Sequence, residues 1–354
     1  MGGTGKSCCM PARERASLQH TSRIDSDARS QHPDAARAAA SIAQDLIAVE
    51  GADFVMGSDS SAGFSEDGEG PGRLVSVRGF CIAPAAVTNR EFGDFVRATW
   101  YVTEAERGGS SFVFYLQVPE TTRKKIRQVP KGLAWWLDVE GACWQRPEGP
   151  GSTVHERREH PVVHVSWNDA VAYCEWRGHR LPSEAEWEFA ARGGLAGKTY
   201  PWGDELEPAG QPQCNIWRGV FPNEPAAGWR PATMPARSYP GNGYGLHNVS
   251  GNVWEWCSDW FTAGYHRETP AVDPLYSTPT GRRSMRGGSF LCHDSYCNRY
   301  RVAARSSNTP SSTAGNCGFR VAADRRKNLG KIKLDARINP ALGSRPTAAR
   351  GRRS

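Results

Sequence analysis

The sequence lacks three features that would each indicate a particular class of protein: a transmembrane run, a secretory signal and an internal repeat. No run of about 18 apolar residues occurs, so no transmembrane helix and no membrane partner are predicted. The first thirty residues lack the apolar core of a secretory signal. No stretch repeats with a period of 20 to 50 residues, which argues against solenoids and propellers. These absences predict a soluble, unexported and therefore cytoplasmic protein.

Cysteine pairs at short spacing are also missing. The 354 residues contain ten cysteines, none of them in a C-x-x-C pair, which argues against zinc ribbons, zinc fingers and thioredoxin-type motifs. In a reducing cytoplasm, scattered cysteines are best explained as small buried hydrophobic residues. We apply this interpretation to Cys81, Cys143, Cys174, Cys214 and Cys257.

Composition divides the chain into three parts. Residues 1–46 are rich in Ala, Arg, Ser and Asp and show no sustained apolar period. This composition predicts a disordered extension. Residues 325–354 carry ten Lys or Arg against one Asp; such a tail is usually a solvated end, and no nucleic-acid partner is expected. Residues 47–324 are rich in Trp, Gly and Pro, and this composition predicts one loop-rich domain with a core of large aromatic rings. A monomer is expected.

Local patterns predict a few regular elements. The run LIAVEGADFVMGS reads as a β-hairpin around a Glu-Gly turn, and RLVSVRGFCIAP as a further strand. Three Ser or Thr residues precede an acidic residue by three positions, the signature of a capping box at a helix start. These pairs are Thr88 with Glu91, Ser166 with Asp169, and Ser183 with Glu186.

The stretch CHDSYCNRYR holds two cysteines, Cys292 and Cys297, five positions apart. This spacing suits neither one face of a helix nor one face of a strand, so the link must curl if the two sulfurs are to meet. Spacing alone leaves three interpretations open: structural cysteines, a redox disulfide, or a metal site. Two thiolates without a third ligand suit soft, two-coordinate Cu(I) better than zinc.

The residues around this pair resemble a known family. The run RGGSFLCHDSYCNRYRVAARSSNTPSSTAGNCGFRVA is similar, nearly residue for residue, to the C-terminal signature of the formylglycine-generating enzymes, the sulfatase-modifying factors. WWLDVEGACWQRPEGPGS, GHRLPSEAEWEFAARGG and GLHNVSGNVWEWCSDWF also resemble family motifs, in family order. The resemblance covers roughly residues 48–324. It implies an α+β, C-type-lectin-like sulfatase-modifying-factor fold, loop-rich and low in regular secondary structure.

The resemblance also implies a chemistry. Family members use O2 to convert a cysteine within a C-x-P-x-R motif of an unfolded or nascent sulfatase into Cα-formylglycine. By this resemblance, Cys292 and Cys297 hold the copper as Cu(I), and the substrate thiolate joins as a third ligand. Ser289 and Tyr296 match positions that line the pocket, and Trp254 matches a tryptophan that closes one wall.

Two calcium sites are implied in the same way. Asn248 and Glu255 supply side-chain oxygens, with the carbonyls of Gly251 and Val253, a hard-oxygen set suited to Ca²⁺. A second site matches only at Asn215 and the carbonyl of Ile216. Its usual acidic residue is replaced by Ala227, so weak or no occupancy is expected, although Glu224 offers a displaced carboxylate.

Three alternatives accompany this interpretation. The HPVVH run invites a metal site at His160 and His164, but its proline and β-like alternation favour a structural role. A non-catalytic, peptide-binding relative would share the scaffold, but it would not need both thiols of the CHDSYC pair. An ergothioneine-type sulfoxide synthase would carry a His-bearing helical domain, for which the roughly 46 residues before the domain are too few.

Overall fold

The computed structural model describes residues 10–13, 46–124, 126, 129–130 and 132–325. Within them the strands are short and most of the chain is turn and loop. The strands are β1 Ile47–Val49, β2 Ala52–Met56, β3 Arg73–Val77, β4 Phe80–Ile82, β5 Ser110–Phe114, β6 Trp136–Glu140, β7 Gly219–Val220, β8 Glu224–Pro225, β9 Trp254–Trp260, β10 Arg283–Arg286, β11 Arg305–Asn308, β12 Cys317–Gly318 and β13 Ala322–Asp324.

The strands form a set of small sheets. The largest has the order β11-β10-β9-β12, with β12 parallel to β9 and the other pairs antiparallel. A three-stranded sheet has the order β1-β4-β13, and β2-β3, β5-β6 and β7-β8 are two-stranded. β9 and β10 are buried along much of their length.

Three of the described helices begin where the capping boxes predict. The helices are α1 Asn89–Thr99, α2 Glu104–Gly108, α3 Glu120–Arg123, α4 Trp167–Arg177, α5 Glu184–Arg192 and α6 Tyr265–Glu268. All three predicted capping boxes are confirmed. A fourth, formed by Thr103 and Glu106, begins α2 and was missed. No helix in these described ranges is long and apolar enough to cross a membrane.

The predicted hairpin around Glu50 and Gly51 is wrong. β1 pairs with β4, whereas β2 pairs with β3, so the two strands belong to different sheets. A Cβ on Gly51 would lie 2.5 Å from the backbone nitrogen of Gly79, so this turn packs directly on the break between β3 and β4. The predicted single strand RLVSVRGFCIAP is likewise two strands, because the chain changes sheets at that break.

Large rings form the core, as composition predicts. Trp136, Trp187, Trp217, Trp254 and Trp256 are each at most 1% exposed. The five scattered cysteines are buried and free, which confirms their role as small core residues. Short helices around small sheets, joined by long irregular segments, confirm the α+β, loop-rich class.

Candidate active site

Two glycines connect β10 to the cysteine loop. Gly287 and Gly288 have φ values of 90° and 74°, which side chains rarely adopt. A Cβ on Gly288 would lie 2.6 Å from the carbonyl oxygen of Arg299. The glycine pair therefore lets the chain leave the sheet and pass against the far end of its own loop, which brings Ser289 and Cys292 to the end of β10.

The link between the two cysteines is curled. The His293 carbonyl accepts hydrogen bonds from the backbone N–H groups of Tyr296 at 3.1 Å, Cys297 at 2.9 Å and Asn298 at 3.0 Å. Cys292 and Cys297 are 1% and 0% exposed and neither forms a disulfide. The Ser289 N–H donates to the Cys292 sulfur at 3.3 Å. The turn that the spacing required is thus present.

A small cleft lies over this loop. Its lining residues are Trp135, Trp136, Phe221, Ser289, Leu291, Cys292 and Tyr296. Three of the sequence-predicted residues therefore meet in one cleft, whereas the three aromatic wall residues were not singled out from the sequence. Because aromatic rings form most of the wall, the cleft presents one thiol and two hydroxyl-bearing side chains in an otherwise apolar setting.

Tyr296 and Trp254 occupy different places relative to this cleft. The Tyr296 ring stacks on Phe221 at 4.8 Å and meets Trp135 edge to face at 5.0 Å between centroids, so it is fixed in the wall. Trp254 does not line the cleft. It is fully buried on β9, and its backbone N–H donates to the backbone carbonyl of Asn316. The side-chain amide of Asn316 in turn donates to the Ser289 hydroxyl at 3.0 Å.

Two buried ion pairs hold the C-terminal side of the cysteine loop. Arg299 Nε lies 2.5 Å from Asp67 Oδ2, and Arg301 donates to both Glu69 oxygens at 2.6 and 2.7 Å. Each of the four residues is at most 6% exposed. Such bidentate pairs fix geometry as well as charge. The Asp67 segment thereby positions the loop from 232 residues away in sequence.

A deeper charge network supports the strand that precedes the loop. Arg286, the last residue of β10, contacts the carboxylates of Glu184 and Glu188 on α5. Arg305 pairs with both Glu184 oxygens at 2.7 and 2.8 Å. Burial opposes ionisation of Glu188, but Arg192 and Arg286 hold its pKa at about 2. The network therefore stays charged at neutral pH and anchors β10 to α5.

The first set of expected calcium ligands lies at the entry to β9. Asn248 is in the left-handed region with φ 49°, and its Oδ1 is buried without a hydrogen-bond partner among the described residues. The Glu255 carboxylate accepts from Arg320 at 2.6 and 2.8 Å and from Trp187 at 2.6 Å. A carboxylate offers about four acceptor sites, so one remains on Oε1. Gly251 and Val253 lie between these residues in the chain.

The second set of expected calcium ligands, Asn215 and Ile216, lies in a different hydrogen-bonding environment. The side-chain NH2 group of Asn215 donates to the Ala232 carbonyl at 2.9 Å and to the Asn252 side-chain oxygen at 3.1 Å. The backbone carbonyl of Asn215 accepts from the backbone N–H of Asn252 at 2.8 Å. Ile216 is 4% exposed. Glu224 lies on the exposed strand β8. In the ranges that the structure describes, no group of three or more His, Cys, Asp or Glu side chains could hold a metal ion.

The two histidines of HPVVH have separate partners. His160 Nδ1 is 3.0 Å from the Thr233 hydroxyl, and His164 Nδ1 is 2.8 Å from the Ser111 hydroxyl. His164 is fully buried and has φ 60°. Burial lowers its pKa to about 4. The geometry supports the structural role favoured from the sequence.

His164 should contribute to acid sensitivity. Its folded pKa lies below the unfolded value near 6.5, so its contribution to stability is present above pH 6.5 and is lost as the pH falls towards 4. Between pH 7 and 4.5 we expect the wild type to lose about 2 kcal/mol of unfolding free energy that His164→Asn does not lose. Asparagine tolerates the positive φ. Urea unfolding at both pH values measures this, with the exposed His155→Asn as control; equal losses in wild type and His164→Asn would contradict it.

A curled loop with two buried thiols beside an aromatic cleft, on a loop-rich α+β scaffold, makes this a candidate cysteine-centred site. Residues 31–325 match the family model of the sulfatase-modifying factor enzyme 1-like domain. The chain is 55% identical over 279 residues to the formylglycine-generating enzyme of Streptomyces coelicolor, covering 78% of this chain and 88% of that one. The chain belongs to the sulfatase-modifying factor family, as its motifs predict.

Two further comparisons bear on fold and function. The chain is 44% identical to the inactive Cα-formylglycine-generating enzyme 2 of Bos taurus, covering 81% of this chain and 90% of that one. The structure of PvdO from Pseudomonas aeruginosa matches with a TM-score of 0.57 and 22% identity, covering 79% of this chain and 94% of that one. The PvdO likeness shows a shared fold. The bovine relative shows that family membership alone does not establish activity.

Proposed function

We propose that this protein converts the cysteine of a C-x-P-x-R motif in an unfolded or nascent sulfatase to Cα-formylglycine, with O2 as oxidant and Cu(I) held by Cys292 and Cys297. The observation that carries the proposal is the buried thiol pair on one curled loop, with Cys292 and Ser289 facing an open cleft. The similarity to formylglycine-generating enzymes over most of the chain supports the same reaction class.

The residues present fit a copper ion. Soft thiolates are the ligands that Cu(I) prefers, and a pair of them leaves room for a third. The loop that carries both thiols is held by the His293 carbonyl and by buried ion pairs. A bound Cu(I) supplies the one-electron chemistry that reaction with O2 requires.

The reaction itself balances simply. The substrate cysteine loses one hydrogen from Cβ and the proton of its thiol, and O2 accepts the two electrons and two protons. The resulting C=S group takes up water, releases hydrogen sulfide and leaves the aldehyde. The chain must therefore bind the substrate thiol, admit O2 and keep other thiols away during oxidation.

Cleft residues have distinct tasks in this reaction. Ser289 Oγ accepts from Asn316 Nδ2 at 3.0 Å and from the Leu291 N–H at 3.3 Å, so its own proton is directed to whatever the cleft holds. Trp135 and Phe221 limit the entry of water around the reacting sulfur. Tyr296, fixed between these rings, brings its hydroxyl-bearing ring to the same cleft.

The proposed activity predicts an aldehyde product. Protein loaded with Cu(I) and supplied with O2 and a C-x-P-x-R peptide should give a product that a hydrazide traps, with loss of mass at the cysteine. The same peptide with serine in place of cysteine is the control, because serine has no thiol to oxidise. Unchanged cysteine peptide in the presence of fully copper-loaded protein would refute the activity and favour a non-catalytic, peptide-binding role.

We also propose that Asn248, Gly251, Val253 and Glu255 bind a structural Ca²⁺. The buried, unpartnered Oδ1 of Asn248 and the remaining acceptor site of Glu255 Oε1 support this. Asn215 and Ile216 remain a weaker proposal, because Ala227 replaces the usual acidic residue and Glu224 lies on the exposed strand β8.

Calcium should stabilise the wild-type protein. At about 100 times Kd the expected gain is about 2.7 kcal/mol, seen as a rise in melting temperature over protein with chelator. Asn248→Gly keeps the left-handed backbone but removes the Oδ1 ligand, so the rise should largely disappear. Asp273→Gly, at another left-handed position, controls for the added glycine. An equal rise in Asn248→Gly would contradict this ligand set.

A further inference from the structure

A short N-terminal segment lies against the domain. Residues 10–13 are described although residues 14–45, which connect them to β1, are not. Met10 is 1% exposed and belongs to the apolar cluster that also contains Cys292, Cys297 and Trp136. Met10 therefore packs into the main apolar core, to which the two cysteines also belong.

The domain holds the backbone of the segment. Asn308, fully buried, donates its side-chain amide to the carbonyls of Met10 at 3.2 Å and Pro11 at 3.1 Å. The Arg13 N–H donates to the Ser312 hydroxyl at 3.1 Å. Contacts of this kind to successive backbone groups are typical of extended peptides bound in a groove.

The side chain of Arg13 has its own pocket. Its guanidinium donates to the Ser110 hydroxyl at 2.8 Å and to the Ser110 carbonyl, and lies 3.4 Å from Asp138. It also lies over the Phe112 ring, 5.8 Å from the centroid. A carboxylate, two oxygen acceptors and an aromatic face are what a guanidinium requires for recognition.

The sequence of this segment is C-M-P-A-R. Cys9, Pro11 and Arg13 make it a C-x-P-x-R motif, and no other cysteine in the 354 residues begins one. The motif is the one proposed above for the client. The domain thus contacts the backbone carbonyl of the proline and the guanidinium of the arginine. These two residues define the motif beyond its cysteine.

The arginine pocket is close enough to the cleft for such a motif. Phe112 pairs with Asp138 and Phe114 with Trp136 across β5 and β6, so these four side chains share one face of the pair. Asp138 and Trp136 are two residues apart, roughly 7 Å. Trp136 lines the cleft with Cys292. Four residues of extended chain reach about 13 Å, enough to take a motif cysteine from the arginine pocket to the cleft.

We propose that residues 10–13, the M-P-A-R part of this C-x-P-x-R segment, occupy the client-binding groove, and that an external sulfatase segment must displace them. The inference rests on the proposed function for the identity of the client. Tethering gives the internal segment an effective concentration on the order of millimolar. It therefore competes with any client that is present at lower concentration, and weakens the apparent affinity for that client.

Peptide binding tests the competition. A fluorescent client peptide with serine replacing the motif cysteine binds without turnover, so its anisotropy reports affinity alone. We expect Arg13→Ala to lower the Kd of this peptide at least about tenfold. Arg15→Ala, an arginine two positions beyond the motif, should leave Kd unchanged. A Kd in Arg13→Ala equal to that of the wild type would overturn the proposal.

Proteolysis tests the docking independently of the client. Trypsin should cut after Arg13 much more slowly than after Arg15 in the wild-type protein, and excess client peptide should remove this protection. Equal cleavage at both arginines without peptide would overturn the docking. Protection of Arg13 together with failure of every peptide to form an aldehyde would instead refute the enzymatic function and leave the docked segment intact.

Discussion

Replacing Cys292 or Cys297 by serine is expected to abolish tight Cu(I) binding and aldehyde formation. Serine is nearly isosteric, but its hydroxyl is a hard, protonated oxygen that Cu(I) does not prefer. Loss of one of two ligands should cost more than about 100-fold in copper affinity, since even outer-shell changes cost 10–100-fold. Competition with a Cu(I) chelator and the hydrazide-trapping assay measure the two losses.

Another buried cysteine provides the control. Cys174 lies on α4, is 2% exposed and does not line the cleft, so it should not act as a ligand. Cys174→Ser should therefore keep both copper binding and activity, apart from a loss of stability. Stoichiometric Cu(I) binding retained in both Cys292→Ser and Cys297→Ser would show that the ion is held elsewhere.

Neutralising Glu184 should have the largest effect on stability. Glu184→Gln removes the charge that Arg305 faces at 2.7 and 2.8 Å, and Arg305 is fully buried. An uncompensated buried charge costs about 3–5 kcal/mol, or a decrease of about 10 °C in melting temperature for a domain of this size. Thermal and denaturant unfolding measure this loss.

An exposed ion pair gives the matched control. Arg90 and Glu159 lie 2.8 Å apart with 39% and 61% of their side chains exposed. Glu159→Gln should cost at most about 1 kcal/mol, because water screens the remaining charge. If Glu184→Gln were as mild, the three carbonyls that also accept from Arg305 would be compensating its charge. The charge of Glu184 would then not be what anchors β10 to α5.

Local signals in the sequence were reliable where one segment decides the structure. Each predicted capping box is formed, since its two hydrogen bonds join residues three positions apart. The curl between Cys292 and Cys297 is also local, closed by the His293 carbonyl. The hairpin prediction failed because the partner of β1 is β4, and no local pattern encodes that pairing.

One signal was present in the sequence and was missed. Residues 9–13 match the client motif implied by the family resemblance, yet they fall in a segment assigned to a disordered extension. The composition of this extension is polar and lacks an apolar period. Peptides that bind to a protein groove commonly have such a composition. Comparing the expected client motif with the chain itself would have identified it, although only the structure places Met10 in the core.

The sequence by itself determined the family, the α+β class, the thiol pair and the residues expected around it, because each is encoded in a short contiguous motif. The tertiary structure decided which of them meet: Ser289, Cys292 and Tyr296 share the cleft, whereas Trp254 lies behind it. It also decided that Asp67 and Glu69 hold the loop through Arg299 and Arg301. Such pairs join residues 232 positions apart, so folding alone brings them together.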